Sequence, residues 1–174
     1  MTETVAYEEV GRIGDVELRR YPKLLLATVT GYGDGGFSLL FNYISGANRP
    51  REKIPMTAPV ITSEKIPMTT PVVSEGGSIS FVLPERYLEQ APPEPEDRQI
   101  KLQEVPARDV AVIRFRGYAD DATVKQMQAQ LLSILQANGI RSLGEPFLMR
   151  YNAPITPGFM RRNEVGIAIE RRDG

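Results

Sequence analysis

Met56 and Met68 hold the same place in two copies of Lys-Ile-Pro-Met-Thr, which begin at Lys53 and Lys65, twelve residues apart. A thioether is a soft, flexible side chain that can line the mouth of a cleft, and methionine is most often a gap filler in apolar surroundings. Tyr151 has the side chain of a phenolate ligand, although a strand tyrosine usually bonds a backbone carbonyl through its hydroxyl. Arg161, Arg162, Asn163 and Glu164 make a polar run suited equally to a salt-bridged anchor and to ligand binding. Glu145 and Glu164 are the kind of carboxylates that form an acid–base pair, but no spacing sets them apart from the other acids. Cys and His are both absent. Thiolate nucleophiles, imidazole bases and Cys-ligated metal centres are therefore excluded, and no nucleophile with its base is visible. Enzyme chemistry is not the expected class.

The elements that must position these residues read as follows. Each Lys-Ile-Pro-Met-Thr copy carries two prolines, Pro55 and Pro59, then Pro67 and Pro71, which forbid helix and remove backbone donors. Extended chain at a sheet edge or rim is expected there, with Met56 and Met68 at the mouth of a cleft. Upstream, YEEVGRIGDVELRRYPKLLLATVTG (7–31) is rich in strand formers and broken by a Gly14-Asp15 turn. GYGDGG (31–36) lacks the lysine of a phosphate loop and the spacing of a dinucleotide fingerprint, so it is expected to be a turn. Phe37, Leu40, Phe41 and Ile44 then fall at i, i+3, i+4 and i+7, one face of a helix stopped by Gly46, and their first expected task is core packing. Strand ISFVLPE (79–85) and an exposed linker APPEPED (91–97) follow.

The order then recurs. DVELRRYPKLLLATVTGY (15–32) resembles QIKLQEVPARDVAVIRFRGY (99–118), with Pro22 over Pro106 and Gly31-Tyr32 over Gly117-Tyr118. A second helix starts near Asp121, carries Val124, Met127, Leu131 and Leu135 at helical spacing and stops at Asn138-Gly139. Strands follow at 147–151 and 164–170. Two strand, helix, strand, strand repeats, over about residues 7–90 and 98–171 of a single domain, predict an α+β fold with a mostly antiparallel sheet and two helices. A groove is expected where such halves meet.

The 174 residues suit one domain with a real core. Lys and Arg number 21 against 22 Asp and Glu, a net charge of −1, which offers no broad field for nucleic acid. No membrane span and no signal-peptide pattern is visible, so the expected compartment is the cytoplasm and the expected state a monomer.

The opening 7–29, the helix FSLLFNYISGANR, the segments KIPMTAPV and KIPMTTPV and the ending MRYNAPITPGFMRRNEVGIAI together resemble the SOUL haem-binding family over residues 7–170. The resemblance implies two pseudo-symmetric halves in a distorted eight-stranded antiparallel barrel carrying two helices, related to effector-binding domains of bacterial drug-responsive regulators. It also implies that haem or another tetrapyrrole binds an apolar cleft between the first helix (37–45) and the loop before the last strand (154–162). Phe37, Leu40, Phe41, Ile44, Met56, Met68, Tyr151 and Met160 are then candidates to line the ligand. Arg49, Arg51, Lys53, Arg161 and Arg162 are candidates to meet its carboxylates through charge-assisted bonds. Some members use a His near the first helix as iron ligand; this sequence departs from them in having none.

Three readings follow. The first is a tetrapyrrole-binding or carrier protein without catalytic chemistry. The second is a sensor or adapter for another flat hydrophobic ligand or an apolar segment of a partner protein, and the third a hydrolase of small molecules in the same groove.

Overall fold

Turn residues set the first boundaries. In the structure, a computed structural model describing residues 3–30, 34–49, 53–63, 77–151, 157 and 160–172, Gly14 takes φ +58° and joins two strands as expected. The elements in order are β1 (Glu3–Thr4), β2 (Glu8–Ile13), β3 (Val16–Tyr21), β4 (Leu24–Thr30), α1 (Asp34–Ile44), β5 (Asn48–Arg49) and β6 (Thr57–Ser63). They continue with β7 (Ser78–Val82), a 3₁₀ turn (Glu85–Leu88), β8 (Glu94–Pro95), β9 (Lys101–Val105), β10 (Arg108–Arg116), α2 (Asp121–Ala137), β11 (Ser142–Arg150) and β12 (Arg162–Ile169). Two helices on largely antiparallel strands make the α+β class that the sequence predicts. Arg51, the second Lys-Ile-Pro-Met-Thr copy with Met68, and residues 152–156 lie outside the described residues. No described helix is long and apolar enough to cross a membrane.

The chain divides into two compact units, Met1–Val5 with Lys23–Pro106, and Ala6–Pro22 with Ala107–Gly174. In the first, the strands run β9-β4-β7-β6 with antiparallel pairing, and β1 adds in parallel to β6. Proline leaves its mark on β6, whose register against β7 shifts between Thr57 and Val60, around Pro59. Helix α1 buries Leu40, Tyr43 and Ile44 against Leu25, Ala27 and Val29 of β4 and Ile79 and Phe81 of β7. The helix lies close to the sheet because a Cβ on Gly36 would come within 2.7 Å of Ile79 Cγ2.

The segment 91–97, expected to be an exposed linker, is instead tied in. Pro93 is buried and its carbonyl accepts a 2.7 Å bond from the Tyr43 hydroxyl, while β8 pairs with β5. Proline lacks a donor but keeps its acceptor, and that acceptor is what the core uses.

In the second unit the order is β2-β3-β10-β12-β11, again antiparallel. Asp120 caps α2 by accepting a 2.8 Å bond from the Thr123 amide, and Gly139 at φ +66° ends it. Val124, Leu131 and Leu135 of α2 cover Val16, Leu18, Ala111, Ile113, Phe115, Val165, Ile167 and Ile169. The long strand of each unit, β4 or β10, precedes a helix and pairs with the second of the two long strands after it. Its other neighbour, β9 or β3, is the strand that precedes the long strand of the other unit in sequence.

Gly166 of β12 sits where Phe147 and Met149 fold over the strand; an added Cβ would meet Met149 Cε and Phe147 Cε2 at 3.0 Å and Phe147 Cζ at 3.1 Å. Gly166→Ala is therefore expected to cost about 1 to 3 kcal/mol by overpacking, read from urea unfolding. An unchanged midpoint would mean that these side chains move aside freely.

Candidate functional site

Alternation along β3 puts Val16 and Leu18 toward α2 and Glu17, Arg19 and Tyr21 on the opposite face of the sheet. On that opposite face β12 presents Glu164, directly across from Arg114 of β10. Between them β10 offers only Val110 and Val112, which pair with Arg19 and Glu17, so the Arg19 side chain can reach over β10 to Glu164. It does so with both ends of its fork: Nη1 donates to Oε1 at 2.7 Å and Nη2 to Oε2 at 2.6 Å. Both side chains are fully buried, at 0% exposure.

Around this pair the remaining capacity is nearly filled. Arg19 also donates to the Tyr21 hydroxyl at 2.8 Å and to Glu17 at 3.1 Å, and its guanidinium lies 4.0 Å from the centre of the Tyr7 ring. Arg19 Nε has no hydrogen-bond partner among the described residues. Glu164 receives further bonds from Arg162 Nη2 at 3.1 Å and Arg114 Nε at 3.3 Å, and Arg162 stacks over the Tyr151 ring at 4.2 Å.

Burial alone would push the Glu164 carboxyl up, but the hydrogen bonds and charge of Arg19, with Tyr151 and Arg162, hold it down at about 2. Burial drives Tyr151 well above the ordinary phenol range, and Tyr21 and Glu164 add to that. Tyr21 is raised by burial against the opposing charge of Arg19. A carboxylate held ionised by three guanidiniums is a structural counter-ion and neither a proton donor nor an available base. Glu164 is thus an anchor, one of the three roles open to it in the sequence.

The remaining candidates divide between the units. In the first, Leu40 and Ile44 are core, whereas Phe41 is 49% exposed and Phe37 half-buried. The two rings stack at 6.2 Å between centroids, and Phe37 meets Phe81 edge-on at 5.2 Å. Met56 is half-buried against the same core, and Arg49 and Lys53 are exposed. In the second unit Met160 is 61% exposed, Tyr151 is half-buried and Arg161 lies over the Tyr118 ring at 4.7 Å.

A concavity of about 270 Å³ in the second unit is lined by Arg12, Asp15, Glu17, Arg19, Arg114 and Gln130, with Val112, Ile113 and Met127. Its charged walls do not suit an apolar macrocycle, and it contains none of the candidate ligand residues. The residue that sequence reasoning missed is Arg19. Its signal was present in DVELRRYP, where an alternating strand carries Glu17 and Arg19 on one face, and a strand buried on both sides must neutralise such charges.

Four likenesses bear on the chain. The family model for SOUL heme-binding protein matches residues 2–168. Heme-binding protein 1 of Sus scrofa is 30% identical over 132 residues, 72% of this chain and 65% of that protein. The match therefore spans just under two thirds of the relative's length. Among solved structures, the C-terminal domain of EcmrR superposes with a TM-score of 0.58 at 12% identity, covering 95% of this chain and 99% of that one. A hydrolase from Listeria innocua gives 0.60 at 11%, covering 92% and 94%. At such identities these two likenesses show the fold alone.

Removing one partner of the buried pair leaves an uncompensated charge, so Glu164→Gln is expected to cost about 3 to 5 kcal/mol. The apolar double variant Arg19→Met with Glu164→Leu should cost less than the single change. Urea unfolding checks both, and a single variant within about 1 kcal/mol of wild type would refute the anchoring role. The pH dependence has a definite sign. The folded carboxyl, at about 2, lies below its ordinary 4.5, so its contribution is complete above about 4.5 and is lost as pH falls through about 2.

Proposed function

Because the chain belongs to the SOUL heme-binding protein family, we propose that it binds haem or another tetrapyrrole through the ligand's apolar faces and carboxylates and does no catalytic chemistry. The observation that carries this reading is the Phe37–Phe41 stack on α1, with one ring half exposed. A half-exposed Phe41 ring, backed by Phe37 and through it by Phe81, offers a flat ligand a rigid apolar surface at little entropic cost. Leu40, Tyr43 and Ile44 anchor the other side of the same helix in the core, which fixes the direction in which the rings face. Arg49 and Lys53, exposed in the stretch that follows α1, are the cations proposed to meet the carboxylates. Half-buried Met56 is proposed to line the ligand.

The donor set fits the organic part of haem better than its metal. With no His or Cys in the chain, Met, Tyr, Lys and carboxylates are the side chains left to reach iron, and the commonest haem ligand, imidazole, is not among them. When bound, haem would supply an iron centre for redox or gas chemistry. The residues named here bind and orient the macrocycle. The same lack of strong iron ligands favours, as a second reading, a flat hydrophobic ligand without metal on the same surface. A hydrolase is not supported at Glu164, whose oxygens are engaged by Arg19, Arg114 and Arg162.

Absorption titration with hemin tests the assignment to α1. Phe41→Ala removes an aromatic face worth about 0.5 to 1.5 kcal/mol beyond its area and should weaken binding about tenfold, with the fold intact by circular dichroism. Arg49→Ala with Lys53→Ala should weaken it less, because exposed charges are screened. Unchanged affinity in both variants would move the ligand off this helix.

A further inference from the structure

In the second unit the β2–β3 hairpin ends before β10 does. The β3–β10 ladder closes with Val16 opposite Ile113, and the hairpin turns away at Gly14, φ +58°. The next step of the register, Asp15 against Arg114, is therefore not made. Both residues border the concavity of about 270 Å³, together with Glu17 of β3 and Met127 and Gln130 of α2. Pockets for drug-sized ligands begin at roughly 300 Å³, so this one suits a smaller molecule.

The groups left open around the hollow carry both signs of charge. Asp15 is exposed and makes no hydrogen bond or ion pair among the described residues. Glu17 turns Oε2 toward Arg19 at 3.1 Å and Arg12 at 3.7 Å, and its Oε1 accepts no bond among the described residues. Because Arg19 is itself clamped by Glu164, Glu17 is held in place before any ligand arrives. Arg114 spends Nε on Glu164 at 3.3 Å and donates from neither Nη1 nor Nη2 among the described residues. Opposite charges thus face one hollow without pairing across it. A lone anion on Arg114 would be repelled by Asp15 and Glu17, and a lone cation on those carboxylates by Arg114 and Arg12. A molecule with a carboxylate and an ammonium meets both sets with the favourable sign, through charge-assisted bonds.

We propose that this concavity binds a small zwitterion of the amino-acid type, its carboxylate on the fork of Arg114 and its ammonium on Asp15 and Glu17. Half-buried Met127 offers the body of the molecule an apolar wall, and Gln130 can donate or accept at either end. The site stands apart from the tetrapyrrole reading, since none of its residues is a candidate for that ligand.

Calorimetric titration of the full chain with L-leucine tests it, alongside isocaproate, which lacks the ammonium, and isoamylamine, which lacks the carboxylate. Leucine is expected to bind saturably at one site, and each of the other two at least tenfold more weakly. Asp15→Asn and Arg114→Gln should each weaken leucine binding about tenfold, the loss of one charge-assisted bond. Asp15 holds nothing else in the fold, so its variant reads the site even where Arg114→Gln loosens Glu164. Glu170→Gln, an exposed carboxylate of the same unit paired with Arg141, should leave binding unchanged. No saturable binding of leucine, equal or tighter binding of isocaproate or isoamylamine, full binding by Asp15→Asn, or a loss in Glu170→Gln as large as in Asp15→Asn would each overturn the proposal.

Discussion

The second unit is organised around one ion pair with no access to water. Taking Arg19 and Glu164 out of solvent costs several kcal/mol per ion, and their attraction repays that only when geometry and secondary hydrogen bonds are good. Here the bond is bidentate, and Tyr21, Glu17, Arg114 and Arg162 occupy most of what remains. The partners sit on β3 and β12 with β10 between them, so the pair requires three strands to be in register at once. A slip of one residue would turn Arg19 or Glu164 into the apolar layer beneath α2, where nothing could neutralise it. The pair therefore ties the register of β3 to that of β12 across β10.

The first unit solves a different problem. Its helix is fixed from one side while Phe41 on the other side stays half exposed. Leu40, Tyr43 and Ile44 do the fixing, and the Tyr43 hydroxyl extends it to the Pro93 carbonyl. Phe37 lies between the two tasks, touching Phe81 below and Phe41 outside. Gly36 lets the first turn approach Ile79 closely enough for this to work. Rigidity beneath and exposure above are what a flat apolar ligand requires of a surface.

Much of this was legible in the sequence. Helical spacing from Phe37 to Ile44, the Gly14-Asp15 turn and the Asn138-Gly139 stop rest on local chemistry, and each is found where local chemistry puts it. The family, too, could be read from the order of short segments. Legibility failed where distant residues decide the outcome. The spacing that marked Phe37, Leu40, Phe41 and Ile44 could not say which would face the sheet and which the solvent. APPEPED reads as linker by composition, yet its Pro93 is buried and its carbonyl accepts a bond from Tyr43, fifty residues away. Arg19 and Glu164 are separated by 145 residues, and only strand pairing makes them neighbours.

The central functional claim is that this chain holds a tetrapyrrole by its faces and carboxylates, with little contribution from iron. Its most direct test is the ratio of affinities for hemin and metal-free protoporphyrin, with the spin state of the ferric complex read from the same spectra. The account predicts affinities within a few fold of each other and a high-spin, weak-field ferric spectrum. A low-spin spectrum together with a large loss of affinity on removing the iron would contradict it, and would mean that a side chain such as Met56 or Met68 ligates the metal.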